Sequence, residues 1–83
     1  MKITIKYFAS IRETIGQGNE SLTTGAVTLA ALRDELIAQG GARAQALSRG
    51  KTLRVAMNKV MADEATALQD GAEVAFFPPV TGG

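Results

Sequence analysis

Residues 2 to 8, KITIKYF, alternate: Ile3, Ile5 and Tyr7 fall on one side, Lys2, Thr4, Lys6 and Phe8 on the other. That is the period of a strand with one buried face, and it leaves Phe8 as an aromatic on the polar side. ASIRETIG then sets Ile11 and Ile15 four apart, a short helical turn that Gly16 ends. NESLTT predicts a second strand between turns at Gly16, Gly18 and Gly25. From Thr28 the period becomes helical, with Leu29, Leu32, Leu36 and Ile37 on one stripe. Thr28 is the expected N-cap, Val27 and Leu32 stand at the spacing of a hydrophobic staple, and Gly40 and Gly41 stop the helix.

ARAQALSRG adds a further helical turn anchored by Leu47. RVAMN and VMA flank Asn58-Lys59, a tight hairpin with Val55 and Met57 inward, although Lys59 stands where such turns favour glycine. Leu68 plugs the core from a loop, and the Asp70-Gly71 turn leads into AEVAFF. In that last strand Val74 and Phe76 share one face and Glu73, Ala75 and Phe77 the other, so Phe77 repeats the anomaly of Phe8. The order of elements predicts an α+β roll: a mixed sheet of four or five strands packed on one main helix. If the first and last strands are neighbours, Phe8 and Phe77 form an aromatic patch on the outer face, a feature that points to a partner.

Length and composition narrow the chemistry. The 83 residues make one domain, and a net charge of +1 with dispersed lysines and arginines leaves no footprint for nucleic acid or a membrane surface. Without cysteine or histidine there is no disulfide, no thiol nucleophile, no Ser-His or Cys-His pair and no usual zinc ligand set. The eight acidic residues show no spacing that assembles a metal site or a carboxylate pair. Gly50-Lys51-Thr52 echoes the end of a phosphate-binding loop, but Gln45 occupies the position of the required first glycine and a strand follows in place of a helix. No apolar stretch approaches the ~20 residues of a membrane span, and the N-terminus lacks a signal core, so the expectation is a cytoplasmic protein.

The chemistry then falls to FFPPVTGG. Pro78 and Pro79 lack an N–H and fix φ, so they end the ladder and set the chain off in a stiff, extended direction. Residues 78–83 are expected to form a flexible tail reaching at most ~20 Å from the body. Gly82 and Gly83 bring no side chain, so this end fits a channel too narrow for a Cβ.

KYFASIRE, VAMN and above all DGAEVAFFPPVTGG resemble the small-subunit family of molybdopterin synthase, β-grasp, ubiquitin-like sulfur carriers, over nearly the whole chain. The departures are mild: Ala72 stands where the family often has aspartate, and residues 40 to 52 carry little signature. The resemblance implies that the Gly83 carboxylate is the reactive group. A carboxylate ionised at neutral pH is a poor electrophile, so it must first be activated. In the family a ubiquitin-activating-type adenylating enzyme spends ATP to form an acyl adenylate on the terminal glycine. A sulfur donor protein then displaces AMP to leave a thiocarboxylate. The tail, here Pro78, Pro79, Val80, Thr81, Gly82 and Gly83, enters the active site of the large synthase subunit within a heterotetramer. There the sulfur passes to cyclic pyranopterin monophosphate. By position, Phe8, Met61 and Phe77 correspond to the docking patch, and the chain itself binds no metal or cofactor. Two alternatives share the Gly-Gly ending: a carrier for another pathway such as thiamine thiazole synthesis, and a ubiquitin-like binding or modifier module.

Overall fold

The alternation at the N-terminus becomes β1 (Lys2–Tyr7), whose Ile3, Ile5 and Tyr7 are buried. The computed structural model describes residues 1–79. After β1 come α1 (Ala9–Ile15), β2 (Asn19–Thr23), α2 (Leu29–Ala38), α3 (Gly41–Leu47), the hairpin β3 (Arg54–Met57) and β4 (Val60–Ala62), and finally β5 (Glu73–Phe77). The five strands form one sheet in the order β2-β1-β5-β3-β4. The central pair β1–β5 is parallel and the other pairs are antiparallel. The inner face sets Ile5 opposite Val74 and Tyr7 opposite Phe76, the two rings lying 6.4 Å apart and nearly parallel. Leu29, Leu32 and Leu36 of α2 and Leu47 of α3 bury completely against that face. The result is the expected β-grasp roll, with α3 a two-turn helix where a single turn was predicted.

Local signals account for most boundaries. The Thr28 hydroxyl accepts the Ala31 N–H at 3.1 Å, and Gly40, at φ 76°, closes α2 with its N–H on the Ile37 carbonyl. Asn58 and Lys59 both take positive φ, the geometry of the tightest hairpin, and the Asn58 side chain accepts the Glu73 N–H. The expected staple is not made: Val27 is 69% exposed. Residues 26–28 run extended beside 67–68, held by the Leu68 N–H on the Val27 carbonyl and a Thr28–Ala67 bridge. In an extended segment adjacent side chains face opposite ways, so Ala26 takes the core position and Val27 faces out. Met57, expected inside with Val55, is half-buried against the rim of the core, at the hairpin end of β3.

Two polar clusters fasten the helices, one to the loops after α3 and β4 and the other to the sheet. Arg33, only 4% exposed, sits among the buried leucines of α2. Its guanidinium donates to the carbonyls of Leu47 (2.7 Å), Ser48 (2.6 Å) and Lys51 (2.9 Å) and to the Glu64 carboxylate (2.7 Å). Burial alone would raise the Glu64 carboxyl, but hydrogen bonds from Arg49 and Arg33 outweigh it and hold the group below its ordinary range. On the other flank the Tyr7 hydroxyl donates to Glu20 at 2.7 Å, and Arg43 of α3 grips the same carboxylate with two nitrogens. Burial first, and the Glu20 carboxylate second, push the Tyr7 phenol far above its usual value.

Arg33→Ala removes the donor from three carbonyls inside the fold and is expected to cost about 3 kcal/mol, read from the urea midpoint. Arg33→Lys does not restore it, because an ammonium cannot span that fork of acceptors; full rescue by lysine would refute the role. Tyr7 is the single tyrosine. Its phenolate absorbance should therefore stay absent from the folded protein at pH 10 to 11, above the ordinary midpoint near ~10. The sign follows from proton binding: the unfolded chain loses this proton first. The stabilisation is complete below the unfolded value and is lost as pH rises toward the folded one. Phenolate appearing near pH ~10 while circular dichroism still reports a folded chain would contradict the burial and the Glu20 bond.

Candidate functional site

The parallel ladder brings the two misplaced aromatics together. Tyr7 pairs with Phe76, and the next step of the ladder, the Phe8 N–H on the Phe76 carbonyl at 3.1 Å, sets Phe8 beside Phe77 on the outer face. Their rings meet edge to face, centroids 6.2 Å apart at 83°. This is a favourable aromatic geometry, and it leaves Phe77 half-buried beneath a more exposed Phe8. Phe8 stays 45% exposed. Its orientation is fixed by a non-glycine residue in the left-handed region: Ala9, at φ 51°, turns the chain from β1 into α1 while the Phe8 carbonyl accepts the N–H groups of Ile11 and Arg12.

Met61, the third expected patch residue, lies on the same outer face two strands away, 51% exposed. Ala75 pairs with Ala56, and Ala56 with Met61, so a floor of small residues runs from the methionine to Ala75, two strand spacings or about 10 Å away, and Phe77 stands two residues further along β5. Val60, 67% exposed at the start of the edge strand β4, pairs with Met57 and so belongs to the opposite, helix-facing side of the sheet, where its exposure was not expected. Nothing in a three-residue strand at a hairpin marks which of its residues stay uncovered.

β5 ends at Phe77, paired with Arg54, and Pro78 and Pro79 follow at once. Both prolines are partly buried and line a cleft of about 300 Å³ with Ser10 and Thr14 of α1 and Lys51 and Thr52 of the loop before β3. Pro79 also borders a second groove of about 460 Å³ that includes Arg54, Met61 and Glu64. The Gly50-Lys51-Thr52 segment leads into β3 with no helix after it, so its backbone does not form a phosphate-binding loop. Lys51 and Arg54 were not expected at the site. The alternation of β3, with Val55 inward, could have placed Arg54 on the outer face, but no local signal places Lys51. Val80, Thr81, Gly82 and Gly83, and with them the reactive carboxylate expected at Gly83, lie outside the described residues.

Among the described residues there is no group of three or more acidic side chains able to hold a metal ion. What the site offers is an exposed apolar face, anchored by an aromatic pair, from whose edge the chain departs through two prolines. Such a face suits docking on a second protein.

Comparison with known proteins agrees with this geometry. The chain is 42% identical over 81 residues to the molybdopterin synthase sulfur carrier subunit of Escherichia coli K12, covering 98% of this chain and 99% of that protein. The crystal structure of SAMP1 from Haloferax volcanii superposes with a TM-score of 0.76 at 29% identity, covering both chains completely. A chain from the complex of subunits 1 and 2 of the molybdopterin-converting factor of Helicobacter pylori gives 0.68 at 26% identity, again over the full length of both. The ThiS family model matches residues 5–83, and the chain belongs to that family.

Proposed function

We propose that this protein is a sulfur carrier, the small subunit of a molybdopterin synthase, and that its outer apolar face docks on the proteins that load and unload the tail. The observation that carries the reading is the Phe8–Phe77 pair standing at the root of Pro78-Pro79. It joins a docking anchor directly to the departing chain. The likeness to the Escherichia coli carrier subunit over nearly the full length supports the pathway.

In this reading the Gly83 carboxylate attacks the α-phosphorus of ATP in an adenylating enzyme. Pyrophosphate leaves and an acyl adenylate forms. Hydrosulfide released by a donor protein adds to the acyl carbon and AMP departs, leaving a thiocarboxylate once the S–H proton is lost. The loaded tail then enters the large synthase subunit, where the sulfur is transferred to cyclic pyranopterin monophosphate. The chain's own contribution is position. Phe8, Phe77 and Met61 set the body on the partner, and the prolines set the direction, so the sulfur arrives as an oriented, effectively intramolecular nucleophile. The side chains that move protons and bind ATP or pterin belong to the partners.

Two measurements test this. Incubated with the adenylating enzyme, ATP and a sulfur donor, the chain should gain the mass of one sulfur replacing one oxygen, and a variant lacking Gly83 should gain nothing. An unchanged intact mass would sink the carrier reading, and Gly83 found joined to lysines of other proteins would favour a modifier. Phe8→Ala should weaken binding to the large subunit roughly tenfold or more, the loss typical of an aromatic anchor, and leave the melting temperature nearly unchanged. Equal affinity of that variant would remove Phe8 from the interface.

A further inference from the structure

The cations of this chain divide into two sets. Lys6, Arg33, Arg43 and Arg49 each have a carboxylate within 4 Å: Glu73, Glu64, Glu20, and Asp34 with Glu64. Among the described residues Lys2, Arg12, Lys51, Arg54 and Lys59 have none, and of these five Lys51 and Arg54 stand at the root of the tail. Lys51 lines the cleft beside Pro78 and Pro79 with the hydroxyl residues Ser10, Thr14 and Thr52. Arg54 is the cross-strand neighbour of Phe77 and lines the groove on the other side of Pro79.

The acids nearby are committed elsewhere. Glu64 is held by Arg33 and Arg49. Asp63 accepts the Ala65 N–H and the Thr66 hydroxyl. Both cations are exposed, but their backbones are fixed: the Lys51 carbonyl accepts from buried Arg33, and Arg54 belongs to the β3–β5 ladder.

A protein that takes in the residues beyond Pro79 has to close around Pro79, and so over both clefts. Lys51 and Arg54 then lose water together. A buried unpaired cation costs several kcal/mol, so a tight complex requires anions opposite them. We propose that Lys51 and Arg54 form a cationic bracket around the tail exit, matched by carboxylates on the rim of the large subunit's tail-binding channel. The inference rests on the sulfur-carrier reading and adds the charge chemistry of its partner. The aromatic pair supplies the apolar anchor, and the bracket selects an acidic rim and speeds the encounter.

The test uses the full chain and its large subunit, with affinity and association rate measured at low and high salt. Lys51→Glu and Arg54→Glu should each weaken binding at low salt by about tenfold, and the double variant by about a hundredfold. The association rate should fall with them and lose most of its salt dependence. Lys51→Met and Arg54→Met should give smaller losses in the same direction. Lys2→Glu and Lys59→Glu, at the opposite end of the sheet, should bind as the unmodified chain does. Circular dichroism of every variant should match the parent, since both side chains are exposed.

Wild-type affinity and salt dependence in the Lys51→Glu/Arg54→Glu variant would overturn the bracket and leave the carrier reading standing. Failure of the unmodified chain to bind the large subunit would overturn both. Binding of ATP to the isolated chain, abolished by Lys51→Met, would also overturn the bracket by assigning the cleft to a free phosphate.

Discussion

The parallel pairing of β1 with β5 is the constraint on which the rest of this molecule depends. It joins the two ends of the chain at the centre of the sheet, with Ile5 opposite Val74 and Tyr7 opposite Phe76. On the inner face it completes the core that α2 and α3 cover. On the outer face the same register sets Phe8 against Phe77. A strand shows alternate residues to opposite sides, so core and docking anchor are two faces of one ladder, and a one-residue slip would exchange them.

The second structural dependence runs through Arg33. A guanidinium buried among leucines is costly unless every donor is answered, and here three carbonyls and a carboxylate answer it. Its acceptors are the end of α3 and the loop from Ser48 to Lys51. The least patterned stretch of the chain is thus tied to the main helix by one side chain, and Lys51 is placed beside the tail exit as a result. The Tyr7–Glu20–Arg43 cluster does the same on the opposite flank, fastening α3 to β1 and β2. Stability and site geometry meet in these two clusters.

The strands were legible because their alternation is strict, and α2 because its leucines repeat with a Thr28 cap before them and glycines after. The Asn58-Lys59 hairpin was legible despite the missing glycine: Asn tolerates positive φ, and the flanking strands force Lys59 to adopt it. Val27 was misread because a staple is a local spacing rule, whereas residues 26–28 are held extended by contacts with residues 67–68. Arg33 was passed over because an arginine on a helix reads as solvated; its partners lie 14 to 31 residues away. At the site, Phe8 and Phe77 announced themselves as aromatics out of phase, while Lys51 carried no such mark.

By itself, then, the sequence determined the element types, the inward set of side chains and the two outward aromatics. Through the absence of cysteine and histidine, it also removed the usual catalytic and zinc-binding side chains. These follow from periodicity, turn residues and functional groups, which act over a few residues. Only the tertiary structure decided that the aromatics touch, that Ala75 and Ala56 leave a low floor between them and Met61, and that Lys51 and Arg54 flank the same exit. Strand order and register are settled by contacts between residues as far as 69 positions apart, as in the pairing of Ile5 with Val74. Such pairings are chosen by the collective burial of one face, a property of the assembled sheet.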